Sequence, residues 1–152
     1  MMPIDLSELV TDLCQDMKLI KLKDITLEYD AEPGITVSGH KVLLTRMLQN
    51  LIDNAYKYGK DNGNIWVSLK DNKDNVVLSV KDNGIGISEK GVDKIFDRFY
   101  REDSSRTHQK RMAYGYGLGL SMVKKIVEMH DANIRVISEE GQGSEFRIYF
   151  KN

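Results

Sequence analysis

The chain has 152 residues, 41% apolar and 30% charged, with a formal net charge of -1. That length suits one domain with a real core, and the near-neutral balance removes any global electrostatic case for nucleic acid or an anionic membrane as partner. A single cysteine, Cys14, excludes an internal disulfide framework and suits a reducing compartment; no apolar run approaches the ~20 residues of a membrane span, and the first residues carry no signal-peptide pattern.

Leu6, Leu9, Val10, Leu13 and Met17 recur at helical spacing, which predicts an amphipathic helix over 5–18 with Asp5 or Ser7 as its cap. Ile25, Leu27 and Tyr29 alternate with polar neighbours, a half-buried strand ended by Pro33-Gly34. A short strand follows at 35–37, and Ser38-Gly39 reads as a turn. The clearest helix covers 40–58, where Leu44, Met47, Leu48, Leu51, Ile52 and Ala55 form one broad stripe. Strands are predicted around 65–69 and 76–80, joined by the polar turn 71–75, then a turn at 82–88 and a helical patch at 89–100. Residues 101–114 are polar, basic and aperiodic. Helix resumes over 118–130 with Leu118, Met122, Ile126 and Met129 in register, and two last strands at 134–138 and 145–150 flank Gly141-Gln142-Gly143. The pattern is α+β, a mixed or antiparallel sheet with helices able to lie on one face.

Three places combine residues suited to chemistry. On the long helix Asn50, Asn54 and Lys57 stand at i, i+4 and i+7, sharing a face about a quarter-turn from the apolar stripe. Two amide oxygens can ligate Mg²⁺ and the lysine can neutralise phosphate, although the spacing alone more readily describes a solvated helix face. Next, Asp82-Asn83-Gly84-Ile85-Gly86-Ile87 follows a predicted strand: glycines allow close approach and positive φ, and a carboxylate there can accept a hydrogen bond from an exocyclic amine. Asp-Asn-Gly is also an ordinary turn signal. Third, Gly115-Tyr116-Gly117-Leu118-Gly119-Leu120 opens into a helix, a junction that favours anions, beside Arg98, Arg101, Arg106, His108, Lys110 and Arg111. Neither a P-loop nor a Gly-x-Gly-x-x-Gly fingerprint is present.

Taken in order, these segments resemble the ATP-binding catalytic domain of sensor histidine kinases, in the superfamily shared with gyrase, the large heat-shock chaperones and MutL. The N box is similar to residues 48–58, the first glycine box to 80–87, the F box to Ile95–Arg101, the second glycine box to Gly115–Leu120, and the last to Gly141–Phe146. The resemblance implies one catalytic domain over 1–152, a Bergerat-type α/β sandwich with a mixed sheet of about five strands and helices on one face. It implies ATP and Mg²⁺ as cofactors. Asn54 would be the metal ligand with Asn50 beside it, Lys57 would contact phosphate, Tyr58 would pack on the adenine, and Asp82 would read its amine. Gly84, Gly86 and Ile87 would shape that pocket, and Gly117, Leu118 and Gly119 would pass the phosphates. Residues from about 97 to 116 would form an ATP lid with Phe96 and Phe99 at its base. Departures from the family pattern, such as His40 after Gly39, Asp131-Ala132, Ser144 and Ala113-Tyr114, are expected to touch none of the inferred ligands.

In the hydrolysing members of the superfamily a glutamate stands four residues before the metal-binding asparagine. Here that position is Asn50, and an amide cannot act as a general base. The resemblance therefore implies transfer of the γ-phosphoryl group to a histidine on a separate dimerisation domain of the same protein, with a response regulator downstream. None of His40, His108 and His130 has the context of that acceptor, and the chain is expected to begin just after the dimerisation helices. This domain would be cytoplasmic, without membrane contact, in a protein that is itself a candidate membrane sensor. Two competitors stand beside this expectation. One is an anti-sigma-type serine kinase, which generally lacks the F box; the other is a degenerate module regulating by contact alone, against which Asn54, Asp82 and the glycines argue.

Overall fold

A computed structural model of the chain describes residues 1–19, 24–97 and 118–152. In chain order the elements are β1 (Met2–Asp5), α1 (Leu6–Met17), β2 (Thr26–Ala31), β3 (Thr36–Gly39), α2 (Lys41–Lys57), β4 (Asn64–Asp71) and β5 (Asn75–Asp82). They continue as α3 (Glu89–Lys94), α4 (Leu118–Met129), β6 (Asn133–Glu139) and β7 (Gly143–Lys151). Five strands form the main sheet in the order β2-β4-β5-β7-β6. The β2–β4 pair is parallel because the chain crosses over through β3 and α2 before returning; the other pairs are antiparallel. The sheet is mixed, as expected.

Period-two alternation decides which face is covered. Ile65, Val67 and Leu69 on β4, Val76, Leu78 and Val80 on β5, and Phe146, Ile148 and Phe150 on β7 are all buried. Against them lie Leu6, Val10 and Cys14 of α1, the stripe Leu44, Met47, Leu48, Leu51 and Ile52 of α2, and Val123, Ile126 and Val127 of α4. Each such aliphatic side chain contributes about 2 kcal/mol by leaving water. The opposite face is polar: Lys81 lies over the Trp66 ring at 5.9 Å, and Glu145 accepts from both Ser79 and Arg147. The three long helices among the described residues thus occupy one side.

Two local expectations need correction. Ser38-Gly39 is not a turn; it ends β3, which pairs antiparallel with an unpredicted strand β1, Ile4 opposite Val37 and Met2 opposite Gly39. Four residues with one inward apolar side chain, Ile4, and a proline at position 3 leave no alternation to detect. Gly39 is needed for close approach, since a Cβ there would lie 2.7 Å from the His130 ring. The helix expected over 89–100 ends at Lys94, and Phe96 then turns edge-on to Phe146, centroids 6.4 Å apart. His130 directly follows the last turn of α4. It is buried, with Nδ1 2.8 Å from the Ile126 carbonyl and Nε2 accepting the His40 backbone N–H at 3.1 Å. With Nε2 accepting, Nδ1 is the nitrogen that donates to the Ile126 carbonyl.

At the start of α1 the cap is Asp5, whose carboxylate accepts from Glu8 N–H at 3.0 Å. Ser7, the other candidate, instead bonds the Glu32 carbonyl and the Ile35 N–H, tying α1 to the β2–β3 turn.

Candidate functional site

Helix α2 is the spine of the site. Its apolar stripe is sunk into the core, which leaves Asn50, Asn54 and Lys57 half-buried along the flank of the helix. At one end the Asn50 amide reaches the Gly119 carbonyl in the first turn of α4, N to O 3.5 Å. At the other end Tyr58, buried as the C-terminal cap, offers its carbonyl to Ile85 N–H at 3.0 Å. Lys57 Nζ sits 5.6 Å from the Tyr58 ring centroid. The first glycine segment and Gly119 therefore meet opposite ends of one helical stretch, Asn50 to Tyr58, about 12 Å long at 1.5 Å per residue.

Asp82 closes β5. Strand register puts it in one inward-facing row with Leu27 and Ile65 on one side and Ser144 and Ser138 on the other. An inward position at the sheet end explains why this carboxylate is only 3% exposed. Burial pushes its pKa up to about 6, while the Gly84 and Ser144 N–H groups, both bonded to it, pull the other way; Ser144, expected to touch none of the inferred ligands, thus touches Asp82. A carboxylate this poorly solvated, with donors on one side, is suited to accept from an amine that enters from outside.

The close approach that the glycines permit is, in this structure, to protein backbone. A Cβ at Gly84 would overlap the Tyr58 carbonyl oxygen, one at Gly86 the Glu139 carbonyl oxygen, and one at Gly143 the Asp82 carbonyl oxygen. Gly86 also has φ +73° and Gly143 φ +124°. Their space is filled by protein backbone, which lets the loop after β5 lie between the end of α2 and the β6–β7 turn. Gly86→Ala combines overlap with a left-handed φ and should destabilise the domain by about 3 kcal/mol in a denaturant titration. Ile87 is buried, and its N–H is accepted by Ser138 Oγ at 2.8 Å.

Gly119 lies in the first turn of α4 and Leu118 starts it. Gly115, Gly117, Phe99 and the basic residues from Arg98 to Arg111 lie outside the described residues, as does the expected lid from position 98 onward. Sequence reasoning passed over Ser138 and the carbonyls of Tyr58 and Glu139. The carbonyls carry no residue signal, and Ser138 is one polar residue in an amphipathic strand.

The same order of elements recurs in proteins already characterised. The family model described as histidine kinase-, DNA gyrase B- and HSP90-like ATPase matches residues 39–152. This chain belongs to that family. The sensor histidine kinase WalK of Bacillus subtilis (strain 168) is 45% identical over 103 residues, covering 66% of this chain and 16% of WalK. The sensor histidine kinase YclK of the same organism is 33% identical over 146 residues, covering 95% of this chain and 30% of YclK. Among solved structures, the mycobacterial sensor histidine kinase MprB superposes with a TM-score of 0.81 at 27% identity, covering 98% of this chain and 95% of that one. The chain spans less than a third of the length of these two curated relatives. It is an ATPase-family domain similar in sequence and fold to those of sensor histidine kinases, and no described helix is long and apolar enough to cross a membrane.

Proposed function

We propose that residues 1–152 are the catalytic domain that binds Mg·ATP and donates its γ-phosphoryl group to a histidine on a separate dimerisation domain, which then serves a response regulator. The observation that carries this reading is the way α2 joins the first glycine segment and the start of α4, Tyr58 at Ile85 and Asn50 at Gly119. A purine at the Asp82 end then leaves the triphosphate lying along Lys57, Asn54 and Asn50 toward the start of α4. There the helix N-terminus favours anions.

Support for Mg²⁺ comes from donor chemistry. Among the described residues no three His, Cys, Asp or Glu side chains gather to hold a metal. Mg²⁺ commonly takes only one or two protein oxygens and completes its shell with water and phosphate, so the Asn54 and Asn50 amides fit an ion that arrives with the nucleotide. When bound it would neutralise phosphate charge and orient the oxygens. Tyr58 and Ile87 would pack around the base, Lys57 would balance phosphate charge, and Gly117, Leu118 and Gly119 would line the phosphate path.

The reaction breaks the γ-phosphorus bond to the β-phosphate oxygen as a phosphorus–nitrogen bond forms to an imidazole lone pair. ADP leaves, and the ring proton passes to solvent. Nothing at position 50 can deprotonate water, which favours an imidazole brought in line over hydrolysis. His130 is unsuitable as that acceptor because both ring nitrogens are engaged and the ring is buried.

The test mixes this domain, γ-labelled ATP and a separate dimerisation domain carrying its histidine. Acid-labile label is expected on the partner and none on this domain. Tight ATP binding without transfer to any matched partner would instead favour a module that regulates by contact.

A further inference from the structure

We propose that Ser138 is a positioning residue for adenine recognition: its hydroxyl locks the loop after β5 to the β6–β7 turn and so holds the two N–H donors of Asp82 in place. The proposal rests on the reading that Asp82 accepts from the adenine amine, and it adds the group that aims Asp82.

Ser138 stands two positions from Asp82 in the inward row of the sheet, with Ser144 between them. Its Oγ accepts the Ile87 N–H at 2.8 Å and lies 3.1 Å from the Gly143 carbonyl and 2.9 Å from Ser144 Oγ. A hydroxyl has one proton and two acceptor positions. The arrangement that satisfies every group has Ser138 donating to Gly143 O while it accepts from Ile87 N–H and from the Ser144 hydroxyl. One side chain thereby bonds the loop that carries Gly84 and the turn that carries Ser144. Those are the residues whose N–H groups bind Asp82. Ile87 and Ser144 are 2% and 4% exposed, so water has little access to replace the hydroxyl once it is removed. A second tie between the two segments is a backbone bond, Gly141 N–H to the Ile85 carbonyl at 2.7 Å. That bond lies nearer the surface, Gly141 and Ile85 both being exposed, and it does not reach the donors of Asp82.

The effect should appear in discrimination at the base and not merely in stability. Calorimetry would compare ADP with inosine diphosphate, which has the same phosphates and an oxygen in place of the amine. Wild-type protein is expected to prefer ADP. Ser138→Ala should shrink that preference by about tenfold at a temperature where the variant is fully folded, leaving the affinity for inosine diphosphate unchanged. Ser138→Thr, which keeps the hydroxyl and suits a strand, should restore the preference. A Ser138→Ala protein with a lower melting temperature but the full preference for ADP would overturn the proposal and leave Ser138 purely structural. Wild-type protein indifferent to the amine would overturn the adenine reading of Asp82 and this proposal with it. If Ser138→Ala does not fold, Ser138→Cys keeps the shape with a poor acceptor; it too should lose the preference, and retention would count against the proposal.

Discussion

Asp82→Asn is expected to lower nucleotide affinity by more than about 10²-fold and at the same time to stabilise the unliganded domain at neutral pH. Two physical effects oppose each other at this one side chain. The carboxylate is only 3% exposed, and burial lifts its pKa from 3.8 to about 6 in spite of the N–H groups of Gly84 and Ser144. A folded-state pKa above the unfolded one means that the folded protein holds the proton more tightly. The stabilising contribution is full below about pH 3.8 and is lost as pH rises through about 6. At 1.36 kcal/mol per pH unit, keeping the group ionised at pH 7 costs about 3 kcal/mol. Asparagine has nearly the shape of the protonated acid and never meets that cost. The variant should therefore gain about 1–2 kcal/mol at pH 7.5, part of the difference being surrendered with the charge-assisted bonds from Gly84 and Ser144. The gain should shrink steadily toward pH 4, which denaturant melts at several pH values will show. Binding moves the other way, because an amide that presents N–H₂ to the adenine amine sets donor against donor. A variant that binds as well as wild type would remove Asp82 from the recognition of the base.

What could be read from residue order is what depends on periodicity or on a residue type that only one backbone state needs. Helix α2 is legible because Leu44, Met47, Leu48, Leu51 and Ile52 sit at one period and all reach zero exposure. Asp82 and the glycines after it stand out because Gly86 needs a positive φ and because a turn straight after an apolar strand places a carboxylate at the sheet end. The parts that stayed hidden depend on register and on backbone atoms. Ser138 gains its role only when β6 pairs with β7 and β7 with β5, a relation between residues 56 apart that no local pattern carries. Strand β1 pairs through backbone alone and contributes one inward side chain, so alternation has nothing to work on. Even the glycines were informative for a partly different reason. The close approach they permit is to the carbonyls of Tyr58, Glu139 and Asp82, and any ligand benefits at second hand.

Asn54→Ala should reduce phosphoryl transfer to a supplied dimerisation domain on the order of 10³-fold, while adenosine binding at the Asp82 end persists. The separation follows from the length of α2. Asn54 lies one turn from Asn50 and one turn before Tyr58, so removing its amide takes an oxygen from the middle of the phosphate path without disturbing the contact of Tyr58 with Ile85. The amide is half-buried on the flank of the helix, and alanine is the best helix former, so stability should hold or rise slightly. Two controls sharpen the attribution. Chelating Mg²⁺ should abolish transfer in wild-type protein and change the Asn54→Ala variant little further, because the variant has already lost the ligand through which the ion helps. Lys57→Ala removes a point charge partly screened by solvent and should cost only about tenfold, with a steeper dependence on ionic strength in the wild type than in the variant. Equal losses from the two substitutions would mean that position 54 acts through general charge balance or fold, and the assignment of Asn54 as the metal-facing amide would have to be abandoned.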